Sequence, residues 1–167
     1  VQGDVFLGLD PTGARHQTIL GKLNETLRFL PVAMGPHGQV HLVHKSRLTR
    51  VTAGPNVLPS DVFNRGFLPW REEEGQAWLS DGTSVTGRIW MPLERPTQRV
   101  SDFLNQRGWE FFVLLTGRGV QLVNSEAVVR VVLTESAGAP LDSLDPRIAE
   151  MCWSAPSQFV FGSEGRT

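Results

Sequence analysis

Residues 85–94, VTGRIWMPLE, repeat the residue types of the first ten, VQGDVFLGLD, in the same order. Val1, Gly3, Val5, Phe6, Leu7, Leu9 and Asp10 stand where Val85, Gly87, Ile89, Trp90, Met91, Leu93 and Glu94 stand. The echo continues along the chain. ILGKLN (19–24) faces VSDFLN (100–105), RFLPV (28–32) faces EFFVL (110–114), and VHLVHKSRLTRV (40–51) faces VQLVNSEAVVRV (120–131). The offset drifts only between 80 and 84 residues, which small loop insertions absorb. Matches in one order over about fifty residues point to a tandem duplication, and a duplicated chain must satisfy one packing problem twice.

Each copy predicts mostly strand. VTGRIWM alternates apolar and polar positions with the period of a half-buried strand. Asp81-Gly82 upstream marks a hairpin, because glycine takes a positive φ without steric cost. EFFVLL and GVQLVN, joined by residues 116–119, predict a second hairpin, and AVVRVVL a closing β-branched strand. Between the hairpins RVSDFLNQRG predicts a short helix, capped by Ser101 or Asp102 and terminated at Gly108. The expected fold is therefore mainly β: a tandem pair of small barrel or bent-sheet units, each with one short helix, related by a pseudo-twofold. A barrel removes exposed sheet edges.

The expected organisation is a first repeat over 1–53, a connector over 54–76, a second repeat over 77–134 and a second connector over 135–156 with a helical turn at Asp145-Pro146. The first copy lacks the opening strand that QAWLSDG gives the second. FVFGSEGRT (159–167), read on into VQGDVFLGLD, imitates that hairpin, so residues 157–167 are expected to supply the strand and the chain order to be a circular permutation starting near Met151. The first connector carries Pro55, Pro59 and Pro69, yet Val57, Leu58, Phe63, Phe67, Leu68 and Trp70 are too apolar for a free linker and are expected to pack on the repeats.

DGTSVTGRIWMP, then RVSDFLN, then FFVLL, then LVNSEAVVRV resembles an uncharacterised bacterial domain family. Its members share a hairpin, an RxSDFLN-like segment and a closing strand of the form VNxxxIxxV. The resemblance covers most of residues 78–133 and implies a fold but no catalytic residue. More distantly the strands are similar to Sm-like and SH3-like small barrels, with the helix placed differently.

Net charge is −1 over 167 residues, so no bulk field draws nucleic acid or an anionic surface. One cysteine, Cys152, permits no internal disulfide and suits a reducing cytoplasm. No apolar run reaches the roughly 20 residues of a membrane span, and the first 20 residues lack a secretory signal pattern.

Local motifs carry little chemistry. GRG (117–119) lies between strands rather than before a helix, GKLN (21–24) lacks the hydroxyl of a phosphate loop, and no nucleophile elbow is present. His37, His41 and His44 fall on a turn and on opposite strand faces, which does not converge on a metal. No catalytic set, metal site or cofactor is expected. His44, Lys45, Arg47 and Arg50 form a basic stretch, either a solvated face or an anion-binding patch. Arg50 and its counterpart Arg130 are expected to face solvent or an interface. Asn24 and Asn105 are expected to cap helix carbonyls in the left-handed conformation. Phe6 and Trp90, aligned in the two copies, become interface aromatics if Trp90 alternates outward.

The expected function is a non-enzymatic protein-interaction or scaffold module of a bacterial cytoplasm, engaging another protein or itself. The alternative is nucleic-acid or anion binding through residues 44–50. The weakest is an enzyme with its site in a cleft between the repeats.

Overall fold

A computed structural model describes residues 2–8, 17–64, 70–92 and 98–134. The elements run β1 (Asp4–Val5), α1 (Ile19–Leu23), β2 (Phe29–Met34), β3 (Gln39–His44), a 3₁₀ turn (Lys45–Arg47), β4 (Arg50–Thr52) and α2 (Pro59–Val62). They continue with β5 (Trp70–Leu79), β6 (Ser84–Pro92), α3 (Val100–Leu104), β7 (Phe111–Thr116), β8 (Gly119–Asn124), a second 3₁₀ turn (Ser125–Ala127) and β9 (Val128–Leu133). The fold is mainly β, in two antiparallel sheets ordered β1-β2-β3 and β4-β8-β7-β6-β5-β9.

The expected barrel does not close. Among the described residues both sheets are open, because β4 pairs with β8 of the other half instead of returning to its own. β9 does fold back on β5, from Leu79↔Val128 to Gly75↔Leu133, so the second half makes five adjacent strands of the larger sheet.

The strand register of the front half recurs in the back half. β2 pairs with β3 from Phe29↔His44 to Met34↔Gln39, and β7 pairs with β8 from Phe111↔Asn124 to Thr116↔Gly119. Asp4↔Ala33 and Val5↔Val32 are matched by Arg88↔Leu115 and Ile89↔Leu114. Both 3₁₀ turns begin with a polar side chain, His44 or Asn124, accepting the N–H two residues on. Gly3 and Gly87 are constrained alike: a Cβ there would lie 2.5 Å from the Ala33 oxygen and 2.3 Å from the Leu115 oxygen. Only a residue without a side chain admits that approach of backbone.

Two apolar clusters sit on opposite faces of β7. Phe111, Val113 and Leu115 join Leu20, Leu23, Leu30, Val32, Phe63 and Trp90 between the sheets. Phe112 and Leu114 join Ile89, Met91, Val100 and Phe103 under α3. A strand covered on both faces needs a continuous apolar run rather than alternation, which FFVLL supplies. The segment after β4 packs only in part: Val62 and Phe63 are 2% and 1% exposed and Val57 lies against the core, but Leu58 is 62% exposed, and Phe67 and Leu68 lie outside the described residues; burying one phenyl ring contributes about 1.5–3 kcal/mol.

β5 begins at Trp70, inside the stretch read from sequence as connector. Arg71-Glu72-Glu73-Glu74 is therefore strand, not solvated loop. Two of its carboxylates are met locally, Glu72 by Arg88 at 3.3 Å across the strand pair and Glu73 by Arg71. The positive φ of Gly82, +80°, makes the predicted Asp81-Gly82 turn. The proposed pairing of 157–161 with 1–7, the turn at Asp145 and Cys152 lie outside the described residues. Among those residues, no helix is long and apolar enough to cross a membrane.

Candidate functional site

The residues singled out from sequence do not gather in one place. Lys45 is buried at 3% exposure, and its ammonium donates to the backbone oxygens of Leu23, at 2.8 Å, and Glu25. The Leu23 oxygen is an orphan carbonyl at the end of α1 and Glu25 lies just past its C-cap Asn24, so Lys45 fastens the helix end to the 3₁₀ turn. Burial pushes its pKa below the usual lysine value, against the opposing charges of Glu110 and Glu25. Lys45 is thus withdrawn from any surface patch. His44 stacks edge-on against Phe29, with ring centroids 4.9 Å apart, and its Nδ1 accepts the Ser46 N–H. His44 and Lys45 line a small polar cavity with Arg28, Glu110 and Asn124. Arg47 is exposed, apart from this cavity's lining.

Arg50 is exposed and borders a different groove, an open depression of about 520 Å³. Arg118 lies on the same groove, with the hydroxyls of Thr52, Ser84, Thr86 and Thr116 and the amide of Gln121. The Thr52 hydroxyl donates to Gln121 Oε1 at 2.7 Å, which fixes the groove wall where β4 meets β8. Arg50 also acts on Asp81 in the β5–β6 turn. Hydrogen bonds from the Thr83 side chain and backbone hold that carboxyl below its ordinary 3.8, helped by Thr49 and the Arg50 charge. Arg130, the counterpart of Arg50, is exposed with its guanidinium carbon 5.0 Å from the centroid of Trp78. It faces solvent, as expected of an outward strand position, and rests on an aromatic face.

The asparagines depart from the expected left-handed cap. Asn24 has φ −88° and Asn105 φ −87°. Asn105 does cap a carbonyl, Nδ2 donating to the Ser101 oxygen at 2.8 Å. Asn24 instead reaches across the halves: its Nδ2 donates to the Phe111 oxygen at 2.9 Å and its Oδ1 accepts the Phe111 N–H at 2.8 Å.

The aromatic pair divides as well. Phe6 is 56% exposed, but Trp90 is 3% exposed, packed against Phe63 at 5.5 Å, and its indole N–H has no partner among the described residues. Trp90 does alternate away from Ile89. The face it turns to is covered by the front half of the chain, which the strand period alone does not reveal.

The larger exposed apolar feature was not singled out from sequence. Val40 and Leu42 on β3 are 55% and 68% exposed, and Val129, Val132 and Leu133 on β9 are 72%, 41% and 50% exposed. Both strands are sheet termini with one unpaired edge among the described residues. The signal was present in VHLV and VVRVVL, whose branched residues occupy both strand faces, with only His41 and Arg130 polar among them.

No family model matches the chain, and no curated protein or solved structure shows significant similarity to it. The fold and site define its class only as a mainly β chain of two open antiparallel sheets, with apolar strands at their margins.

Proposed function

We propose that the chain arose by tandem duplication of one bent-sheet unit and serves as a non-enzymatic protein-interaction module, with the margins β3 and β9 as its binding surfaces. Support for the duplication comes from the shared register of β2–β3 and β7–β8 and from the matched glycines Gly3 and Gly87. The observation that carries the interaction role is the exposure of Val40, Leu42, Val129 and Val132 on strands with an edge unpaired among the described residues. An apolar strand with free N–H and C=O groups is a template for another strand, and folded proteins ordinarily blunt such an edge with charge. Strand addition supplies affinity through the backbone and specificity through alternate side chains.

The test is affinity isolation of the tagged protein from its native host, wild type against Leu42→Glu and Val129→Lys. A discrete set of partners lost in the variants is expected. The same set recovered with all three proteins overturns the reading.

The groove between Arg50 and Arg118 favours a second reading, binding of an anionic ligand such as a nucleic-acid backbone. This differs from the patch expected at 44–50, because Lys45 is consumed inside the fold. Retention on heparin that falls steeply with salt and is lost in Arg50→Ala/Arg118→Ala supports it; passage without retention overturns it.

A further inference from the structure

The pairing of β4 with β8 joins the front half to the back half. Arg50 lies opposite Val123, Val51 opposite Leu122 and Thr52 opposite Gln121. The joint has further bonds: the Asn124 N–H donates to the Thr49 oxygen at 3.0 Å and its Nδ2 to the Leu48 oxygen at 2.9 Å. Asn24 closes it by its double bond to Phe111. The front half contributes Asn24 and β4; the back half contributes Phe111 and β8.

Each of these parts has a counterpart about 80 residues away, and the counterparts do not meet. β9 corresponds to β4, β3 to β8, Asn105 to Asn24 and Phe29 to Phe111. Among the described residues β3 pairs only with β2 and β9 only with β5. The contrast in burial follows. Leu122 and Val120 are 1% and 5% exposed, whereas the corresponding Leu42 and Val40 are 68% and 55% exposed. One joint is made within the chain; among the described residues the parts of a second, β3 and β9, are outer strands of different sheets.

We propose that a second copy of this chain makes that joint, its β9 lying antiparallel to β3 of the first with Val131 opposite Leu42 and Val132 opposite His41. Transfer of the β4–β8 register fixes those opposites. The His44 N–H then donates to the Val129 oxygen of the neighbouring copy, as Asn124 does to Thr49. Asn105 leaves the Ser101 carbonyl and pairs with Phe29 of the neighbour, as Asn24 does with Phe111. The interface is head to tail, using different surfaces on the two copies, so copies add into a closed ring or a linear array. The inference rests on the duplication and on the interaction role proposed above, and it names the partner and the register.

The test uses two single-cysteine proteins, His41→Cys and Val132→Cys, each with Cys152→Ser. Directly opposed residues of antiparallel strands have Cα atoms about 4.5–5.5 Å apart, inside the roughly 4.4–6.8 Å span of a disulfide. Mild oxidation of the mixture is expected to give a covalent heterodimer that neither protein forms alone. Without cysteine substitutions, light scattering should show masses that are multiples of 18.5 kDa. Leu42→Glu, at an exposed position, should return the chain to monomer with an unchanged circular dichroism spectrum. A monomer at about 100 µM, or an oligomer indifferent to Leu42→Glu, overturns the proposal. A monomer that still captures host proteins removes the second copy and leaves the interaction role standing; an oligomer that captures none does the reverse.

Discussion

Asn24 hydrogen-bonds both polar groups of the Phe111 peptide, its amide standing in for a strand that is not there. The two residues are 87 positions apart, and the pair ties the end of α1 to the central strand of the larger sheet. Asn24→Ala leaves a part-buried N–H and C=O without partners, which costs about 1–3 kcal/mol. Asn105→Ala loses only an exposed cap, about 0.5–1.5 kcal/mol. Urea denaturation of the two variants should rank them in that order.

Gly87→Ala places a methyl 2.3 Å from the Leu115 oxygen, in backbone that cannot retreat without breaking the β6–β7 ladder. Destabilisation of at least about 1–3 kcal/mol is expected, the scale of an overpacked core. Gly82→Ala meets no atom within 4 Å and pays only for its positive φ. Thermal melts should show the larger loss for Gly87→Ala.

Asp81 titrates below 3.8 because the Thr83 hydroxyl and N–H bind its ionised form. A carboxyl depressed in the folded state contributes stability that is present above its unfolded pKa and disappears as pH falls through the folded one. Thr83→Ala should raise the Asp81 midpoint toward 3.8 in a carboxyl NMR titration and flatten the acid limb of the stability curve. An unmoved midpoint contradicts the assignment.

Lys45 holds two backbone carbonyls from a buried position, so its replacement leaves those acceptors dry. Lys45→Met should cost about 1–3 kcal/mol and should not alter heparin retention. Arg50→Ala should do the opposite if the groove binds anions: little change in melting temperature, loss of retention. Measuring both properties on both variants separates the structural cation from the exposed one.

The succession of elements along the second half was legible because its signals are local. Asp81-Gly82 fixes a turn by glycine geometry, and FFVLL announces a strand covered on both faces. What the letters hid was the partner of each face and edge. Trp90 turns away from Ile89 as the period demands, but its burial depends on Phe63 arriving from the front half. Lys45 looks like surface charge until α1 presents its carbonyls. The barrel failed for a similar reason: local pattern predicts strands and turns, whereas closure depends on which edge β4 finds, and it finds β8. β5 was read four charges too short, because Glu72 finds Arg88 only once the hairpin has formed.

β4 belongs by sequence to the front of the chain and by hydrogen bonding to the back. A gene fragment ending at residue 53 would therefore encode a strand with no bed to lie in, and a fragment starting at 70 would expose Leu122 and Val123 along a bare margin. The two halves share one sheet, so a cut between them severs a hydrogen-bonded ladder rather than a linker.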